Sequence, residues 1–397
     1  MSGPFEGIKI LDLSQVVSGP LATMLLADQG AQVTKIEPIR RSGDVTRLPS
    51  FAKGGLSALY VNNNRGKRAI SLDLTQDEGR KIALEMAADA DIFVQNFRPG
   101  ACDRLGLGYE AIREANPKII YCSISGFGPT GPYSNRPVFD PIIQAVTGAV
   151  SRQVNPEIPI PDLIRNLVAD KTTALTVAQA ISAALFHRER TGEGQHIEVP
   201  MLDSFLYFFW PDAMVDKTML DEDVSPGFLL STVYRLTETA DGKMIYFVAS
   251  DIQRHNLYQA LGHPEWKEDP RFATIAASTQ GDNLEQLGAL IAKAFLELST
   301  DEAIRRMLEN DVPCGAILEA DQVLVDPQVV HNESLVTWQH PTAGKIRQPR
   351  PAARFSTTPA EVGRSAAVVG QHNDEVLAEL GRSEEEIARL RKEGILG

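Results

Sequence analysis

Asp170 is the side chain of this protein that is best placed to do chemistry, because it opens a long alanine-rich helix that ends at Gly192 and Gly194. A carboxylate in the first turn of a helix lies in the positive field of the helix dipole, so we expect it to stay ionised. An ionised carboxylate beside apolar residues is able to act as a nucleophile. It is also a preferred helix cap, since its oxygens accept the unpaired N–H groups of the first turn. Helix physics alone favours the cap.

A second chemical signal is a set of basic residues that flanks successive strands of the predicted sheet. In a parallel sheet, the loops after the carboxyl ends of the strands line the ligand crevice. In one of these loops Phe97 offers a face for stacking on adenine, and Arg98 and Arg104 offer cations for phosphates. Ordinary solvated loops are the alternative, but three such loops in one half of an acidic chain favour a phosphorylated, adenine-bearing ligand. The set consists of Arg40, Arg41, Arg47, Arg65, Lys67, Arg68, Arg98 and Arg104.

The composition limits the class of protein. The chain has 397 residues, with 39 basic against 52 acidic side chains and a net charge of −13. This balance argues against a nucleic-acid partner, so a polyanionic ligand must be bound by locally clustered Arg and Lys. Three widely spaced cysteines indicate a reducing compartment, and neither they nor the seven histidines have the spacing of a metal site.

Secretion and membrane signals are not recognisable in the sequence. The first residues lack a basic segment followed by an apolar one, so we predict no signal peptide. The richest apolar run, residues 205–210, is too short to span a bilayer. We therefore expect a soluble, cytoplasmic protein without a membrane partner. The aromatic side chains of this run are expected in the core or in a dimer interface, with a substrate tunnel as the alternative.

The first 200 residues alternate between strand and helix patterns, which predicts an α/β fold. Strands alternating with helices form a parallel sheet with helices on its faces, so we predict a Rossmann-like large domain. The G-x-G-x-x-G turn of dinucleotide-binding proteins and the Walker A sequence are both absent, which argues against a dehydrogenase and an NTPase. The predicted strands are 8–13, 32–36, 68–74, 91–95 and 119–125, and the predicted helices include 20–28 and 77–88.

After about residue 220 the pattern changes to that of a smaller α+β domain. Thr239-Ala-Asp-Gly lies between two strand patterns and is a hairpin signal, and Ser299-Thr-Asp-Glu302 is a capping box ahead of a helix. The segments 340–344 and 348–359 are expected to be irregular, with helices at 373–380 and 383–393. The predicted domains are a large α/β domain at 1–200, a linker at 201–224, a small domain at 225–330, and a return segment with C-terminal helices at 331–397.

Short motifs along nearly the whole chain resemble those of the class III CoA-transferase family, also called the CaiB–BaiF family. Single motifs are weak, but the set is highly specific. The motifs are Leu11-Asp-Leu-Ser, Gly19-Pro20, Lys35-Ile-Glu-Pro, Asn62-Asn-Asn-Arg-Gly-Lys-Arg, Asn96-Phe-Arg-Pro-Gly, Ser123-Ile-Ser-Gly-Phe-Gly-Pro-Thr-Gly-Pro132, Phe186-His-Arg-Glu-Arg-Thr-Gly-Glu-Gly-Gln195 and Asp326-Pro-Gln-Val-Val.

The resemblance implies an enzyme that moves CoA from an acyl-CoA thioester to a small free carboxylic acid. The nucleophile of the family is the aspartate that opens the helix ending in His-Arg-Glu-Arg-Thr-Gly, which is Asp170 here. It implies aspartyl–acyl anhydride and aspartyl–CoA thioester intermediates, with CoA and acyl-CoA as substrates and no permanently bound cofactor. The resemblance further implies a homodimer of two interlocked rings, because the chain crosses from the large domain to the small one and back.

The sequence and the resemblance also offer candidates for the rest of the site. An acidic acceptor needs a cation near Asp170, and Arg136 and Lys171 are the nearest in sequence. The backbone amides of Gly126 and Gly128 are candidate donors to the oxyanion of each tetrahedral intermediate. The candidate CoA-binding residues are Leu72, Asn96, Phe97, Arg98, Arg104 and Arg136.

Two alternative functions stay open on the sequence. Acyl-CoA racemases of the same superfamily move an α-proton with a histidine just before the aspartate equivalent to Asp140, and Phe139 stands in that place here. A phenyl ring accepts no proton, and acid–base catalysis needs a titratable group. The other alternative is a non-catalytic CoA-binding protein. A CoA-transferase is the predicted function.

Overall fold

A parallel sheet forms the centre of the larger part of the molecule. The computed structural model describes residues 3–39, 43–48, 51–153, 160–225, 227, 229, 231, 234–360 and 365–397. The chain divides into two compact units, of which unit 1 comprises Met1–Leu220 and His331–Gly397 and unit 2 comprises Asp221–Val330.

The N-terminal part of unit 1 alternates between strands and helices, and the predicted strands and helices of this region are present. The elements are β1 (Lys9–Asp12), α1 (Ser18–Asp28), β2 (Gln32–Glu37), β3 (Ala52–Lys53), β4 (Leu56–Ser57), α2 (Ala58–Asn64), β5 (Lys67–Ser71), α3 (Asp77–Ala88), β6 (Ile92–Gln95), α4 (Ala101–Arg104), α5 (Tyr109–Ala115), β7 (Ile120–Ser125), α6 (Asp140–Val146), α7 (Ala149–Arg152), α8 (Val168–Thr191), β8 (Gln195–Pro200) and α9 (Met201–Ala213).

Among the described residues, the main sheet has six strands in the order β5-β2-β1-β6-β7-β8, and every neighbouring pair is parallel. Strands that are buried on both faces send alternate side chains to two different cores. Along the first strand, for example, Ile10 faces one core, whereas Leu11 faces the other. Helices α1 and α8 cover the first face, and α3 contributes Ile82 to the second. The predicted α/β fold with a parallel sheet is therefore confirmed.

Unit 2 is built around a small antiparallel sheet in the order β11-β10-β9, packed with helices. The hairpin predicted at Thr239-Ala-Asp-Gly connects two paired strands, and Ser299 caps a helix by accepting from the backbone N–H of Glu302. The elements are β9 (Thr237–Glu238), β10 (Lys243–Tyr246), α10 (Asp251–Leu261), α11 (Ile275–Ser278), α12 (Asn283–Leu296), α13 (Thr300–Glu309), β11 (Cys314–Ala316), α14 (Ala320–Val323) and α15 (Pro327–His331).

The C-terminal part of unit 1 begins with a hairpin where the sequence predicted irregular structure. Strands β12 (Leu335–His340) and β13 (Gly344–Pro349) pair antiparallel around a turn, and His340 accepts the backbone N–H groups of Thr342 and Ala343 through Nδ1. The prolines of this region mark the turn and the strand end and do not prevent the strands from pairing. Helices α16 (Asn373–Glu379) and α17 (Glu384–Lys392) follow.

The C-terminal residues complete the outer edge of the main sheet. The free edge of β5 is covered by His372, whose backbone N–H donates to Ala69, and by Asn373, whose Oδ1 accepts the N–H of Ser71 at 2.9 Å. The N–H of Gly397 donates to the carbonyl of Ser71. Covering an edge strand removes its unpaired backbone groups from solvent.

Within the described ranges, every helix is too short or too polar to traverse a lipid bilayer.

Candidate active site

The order of the strands creates a crevice between two loops. Strands β1 and β6 are neighbours at the centre of the sheet. After β1 the chain continues to β2 on one flank of this pair, and after β6 it continues to β7 on the other flank, so the loops at the carboxyl ends of β1 and β6 diverge. Open α/β sheets bind their ligands at such a switch point. Asn96 joins the two loops here, because its Oδ1 accepts the N–H of Gln15 at 2.8 Å and its Nδ2 donates to the carbonyl of Gln15 at 2.7 Å.

Buried charged side chains hold the loop after β1 in place. The Lys35 ammonium donates to the carbonyl of Ser14 at 2.5 Å and pairs with Asp44 at 3.1 Å. The Asp44 carboxylate in turn accepts the N–H of Val16 at 3.3 Å. Val16 has a φ of 72°, in the left-handed region that a β-branched residue rarely adopts. The strained backbone persists because the surrounding contacts determine it.

These charges belong to a balanced buried cluster of three carboxylates and three cations, which we call the charge cluster. Lys67 donates to Asp12 at 3.0 Å, and Arg47 is hydrogen-bonded to Glu37 through two nitrogens. Burial works to raise the pKa of Asp12, but the two lysines and its hydrogen bonds outweigh burial and lower it, whereas burial lowers the pKa of Lys67 to about 8. Removal of one partner from such a cluster typically costs about 3–5 kcal/mol. The members are Asp12, Lys35, Glu37, Asp44, Arg47 and Lys67.

Asp170 lies beside the end of this loop. It is the third residue of α8 and only 6% exposed, and the hydroxyl and the backbone N–H of Ser18, the first residue of α1, lie close enough to lower its pKa. Its carboxylate is therefore also placed at the N-terminus of α1, which carries partial positive charge. The N-cap of α8 is Leu167, and Asp140 accepts the backbone N–H of Asp170 at 3.0 Å. The expectation that Asp170 caps its own helix is therefore wrong, since Asp140 takes that role.

The helix field that was expected to keep Asp170 ionised is opposed by burial. Burial is the largest influence and raises the pKa of Asp170 to about 6, with the nearby charge of Asp140 acting in the same direction. The two hydrogen bonds from Ser18 oppose this rise. Removal from water disfavours the charged form of a carboxyl more than a helix terminus favours it. The carboxylate is still mainly ionised at neutral pH.

Four of the eight basic residues that the sequence pointed to form ion pairs within the protein. Arg47 and Lys67 belong to the charge cluster, Arg65 forms a buried pair with Asp28 at 2.6 Å, and Arg68 pairs with Glu379. These four cations are thus used for folding and not for a ligand, which corrects the argument from three basic loops. Arg40 and Arg41 lie outside the described residues.

The loop after β6 keeps its predicted binding features. Arg98 and Arg104 are exposed, and neither forms an ion pair with another described residue. Phe97 is half-buried against the core on the α3 face of the sheet. A cavity of about 180 Å³ adjoins this loop. It is lined by Phe97 and Arg98 together with Tyr109, Tyr121, Ser123 and His196.

Three further candidates lie in different surroundings. Leu72 is completely buried in the core, and its backbone forms an isolated bridge with that of Leu396. Arg136 is exposed, and its guanidinium lies 3.5 Å from the centre of the Tyr133 ring. Lys171 is exposed as well.

Sequence reasoning missed the two residues that contact Asp170. Ser18 lies in the recognised segment before Gly19-Pro20, and Asp140 follows Phe139, but no local pattern indicates that either contacts residue 170. The Gly128 amide, a candidate oxyanion donor, already donates to Ser125 Oγ at 3.1 Å. The donors beside Asp170 come from Ser18 instead.

Comparisons with a family model, with other protein sequences and with solved structures all find the same protein family. A family model described as CoA-transferase family III matches residues 5–373. The human succinyl-CoA:glutarate CoA-transferase is 34% identical over 398 residues, which cover 99% of this chain and 90% of that protein. The formyl-CoA:oxalate CoA-transferase of Streptomyces coelicolor is 31% identical over 411 residues, or 98% of each chain. The crystal structure of a CAIB/BAIF family protein from Brucella suis matches with a TM-score of 0.81 at 30% identity, over 96% of this chain and 100% of that one.

The raised pKa of Asp170 predicts that the ionised carboxylate destabilises the fold. The native pKa lies above the unfolded value of about 3.8, so stability falls as pH rises from about 4 to about 6. Asp170→Asn keeps an oxygen that accepts from Ser18 and removes the charge. It should raise the free energy of unfolding at pH 8 by on the order of 1–3 kcal/mol, with little effect near pH 4. Urea unfolding across this range, with exposed Asp203→Asn as control, measures the difference. A gain that does not change with pH would contradict the prediction.

Proposed function

Because the chain belongs to CoA-transferase family III and is an enzyme of that class, we propose that it transfers CoA from an acyl-CoA to a free carboxylic acid through covalent intermediates on Asp170. The observation that carries the proposal is the setting of this carboxylate. It is buried near the switch point of the sheet, Asp140 accepts its backbone N–H, and the hydroxyl and N–H of Ser18 lie beside it. A carboxylate in this setting is a nucleophile that water does not easily reach.

The proposed reaction exchanges one thioester for another. A carboxylate oxygen of Asp170 attacks the thioester carbon, the C–S bond breaks, and CoA leaves as the thiolate, giving an aspartyl–acyl anhydride. The thiolate then attacks the aspartyl carbonyl and the donor acid leaves as its carboxylate, giving an aspartyl–CoA thioester. The acceptor carboxylate repeats the two steps in the opposite sense and restores Asp170. No external energy source is needed, because the thioesters consumed and formed are similar in energy.

Ser18 is proposed to stabilise the steps at the aspartyl carbonyl. When the thiolate attacks that carbon, negative charge returns to an oxygen of the Asp170 side chain. The hydroxyl and the N–H of Ser18 already lie close enough to this side chain to lower its pKa, so they need little reorganisation as the charge develops. The charge cluster supports this role, since it fixes the loop that leads into Ser18.

CoA is proposed to bind along the loop after β6. Exposed Arg98 and Arg104 are available for phosphates, and half-buried Phe97 is available for the adenine. Asn96 is proposed to hold the crevice in shape through Gln15. Exposed Arg136 is a further cation for CoA, whereas Leu72 is 0% exposed and would support this site from the core without touching CoA.

We propose that the active form is an interlocked homodimer in the cytoplasm. A group of large apolar side chains on three mutually packed helices is exposed in the single chain, and such patches mark interaction sites. The unpaired state of all three cysteines supports a reducing compartment. The apolar side chains are Ile142 and Val146 on α6, Leu175 and Phe186 on α8, and Tyr207, Phe208 and Trp210 on α9.

CoA exchange tests the function directly. Succinyl-CoA and formyl-CoA, which the names of the relatives suggest as donors, are mixed with glutarate, oxalate and other small acids, and new thioesters are identified by mass. We expect exchange with the wild type and with Asp203→Asn, and at least a 1000-fold loss with Asp170→Asn. Without acceptor, the wild type should carry an acyl or CoA adduct on Asp170. Loss of an α-deuterium from a 2-methylacyl-CoA without any exchange would move the assignment to a racemase, although Phe139 is no base.

Ser18→Ala tests the proposed oxyanion donor. The variant keeps the backbone N–H and loses the hydroxyl, so kcat should fall by about 10- to 100-fold, while KM for acyl-CoA stays within about 2-fold. The pKa of Asp170 should rise further, because the lost hydrogen bond lowers it, and the acid limb of the rate profile should move to higher pH. Exposed Ser151→Ala is the matched control. Wild-type kcat in Ser18→Ala would refute the role of the hydroxyl.

Arg104→Ala tests the proposed phosphate site. Loss of one exposed cation facing phosphates should raise KM for acyl-CoA by about 5- to 20-fold at low salt and leave kcat within about 2-fold. The difference from wild type should shrink as salt is added. Arg113→Ala, an exposed arginine on α5, is the control. An unchanged KM in Arg104→Ala would place the CoA phosphates elsewhere.

A further inference from the structure

Two buried carboxylates lie next to each other at the start of α8. Asp140 is 2% exposed, and its Oδ2 accepts the backbone N–H of Asp170 at 3.0 Å. Neither carboxylate forms an ion pair with another described residue. Among these residues Asp140 on α6 is the charged group that acts on Asp170, and Ser18 on α1 is the uncharged donor. The reaction steps above make no use of Asp140.

The hydrogen bond from the backbone N–H of Asp170 to Asp140 provides an acceptor for an N–H group at the start of α8. The first N–H groups of a helix have no partner within it, and a side chain of the first turn tends to turn back to accept them. The N-cap residue Leu167 has no side-chain acceptor, and the N–H of Val168 donates to the carbonyl of Asn166. Without Asp140, the Asp170 carboxylate itself becomes a candidate acceptor for the N–H groups of this first turn. A carboxylate turned onto its own backbone is directed away from Ser18.

Asp140 is itself fixed by the next turn of α6. Its Oδ1 accepts from Gln144 Nε2 at 2.6 Å. The amide of Gln144 also accepts the N–H of Ile164 at 2.9 Å and donates to the carbonyl of Ile164 at 3.1 Å. The pair Asp140 and Gln144, spaced one turn apart, therefore holds both the segment that enters α8 and its first turn. Both side chains are buried, so the interior of the protein holds them in these positions.

We propose that Asp140 is a positioning residue for Asp170: it caps α8 in place of Asp170 and so leaves the Asp170 carboxylate free to face Ser18 and attack the thioester. The inference rests on the proposed function for its kinetic consequences. An asparagine would accept the same N–H without placing a second charge beside Asp170. The charge of Asp140 therefore has an effect beyond capping, since it makes the Asp170 carboxylate more basic and a stronger nucleophile.

Two variants of similar size separate the cap from the charge. Asp140→Asn keeps the acceptor and removes the charge, whereas Asp140→Leu removes both. Acylation of Asp170 is followed by mass in single turnovers with acyl-CoA and no acceptor. Asp140→Leu should slow acylation by about 100-fold or more, with acyl-CoA binding within about 2-fold of wild type, because misdirection of a reacting group has that effect. Asp140→Asn should retain at least about a tenth of the rate, with its acid limb at lower pH.

A measurement without turnover keeps the test independent of the reaction. In a crystal structure of Asp140→Leu, we expect the Asp170 side chain to turn toward the N–H groups of its own helix. In Asp140→Asn, ¹³C titration of Asp170 should give a lower midpoint than in wild type. An Asp170 side chain that still faces Ser18 in Asp140→Leu overturns the inference, and so does an acylation rate in Asp140→Asn as low as in Asp140→Leu.

Failure of the inference and failure of the proposed function give different results. If the wild type forms no adduct with any donor while the side chain turns in Asp140→Leu, the proposed function fails and the positioning role stands. If Asp140→Leu does not fold, Asp140→Asn decides alone. A rate of at least a tenth of wild type with a lowered midpoint supports the role, and an unchanged midpoint or a rate lost in full refutes it.

Discussion

The site depends on the burial of six charges beneath the loop that follows β1. Taking carboxylates and ammonium groups out of water is unfavourable by several kcal/mol for each ion, so the charge cluster exists only because each member finds a partner. Lys35 shows how the cluster reaches the site, because the same ammonium pairs with Asp44 and holds the carbonyl of Ser14. The left-handed Val16 is kept in place by Asp44. The loop therefore leads into α1 in one defined conformation, which fixes the position of Ser18.

The Asp170 carboxylate is placed by three helices whose first turns lie near one another. Asp140 of α6 accepts from the first turn of α8, and Asp170 of α8 accepts from the first residue of α1. Each carboxylate thus satisfies a helix other than its own. The arrangement uses helix N-termini as fixed donors, while the burial that it requires keeps Asp170 more basic than a surface carboxyl. The burial that raises the pKa of Asp170 also lowers the stability of the fold at neutral pH, a trade-off that is typical of functional sites.

The sequence predicted the fold, which the structure confirms, better than it predicted the contacts around Asp170, and the role of Asp170 as nucleophile stays a prediction. Strand and helix periodicity located β1, α1 and their neighbours, because apolar spacing records which faces are buried. Arg65 and Lys67 were assigned to ligand binding because composition does not distinguish a buried ion pair from a free cation.

Contacts between distant residues were the harder part to predict. Asp140 and Asp170 lie 30 residues apart, and no periodicity relates them. The β12–β13 hairpin was missed because its polar and proline-rich sequence resembles that of a loop, and its stability comes from pairing and from His340.

The residues that cover the edge of β5 are synthesised long after β5 itself. Ser71 and Asn373, which share a hydrogen bond, are 302 residues apart. At a synthesis rate of about 5–20 residues per second, the ribosome takes roughly 15–60 s to make the residues that complete this edge. Throughout that interval β5 presents an open strand to the crowded surroundings of the ribosome. The nascent chain is therefore open to mispairing at this edge throughout the synthesis of unit 2.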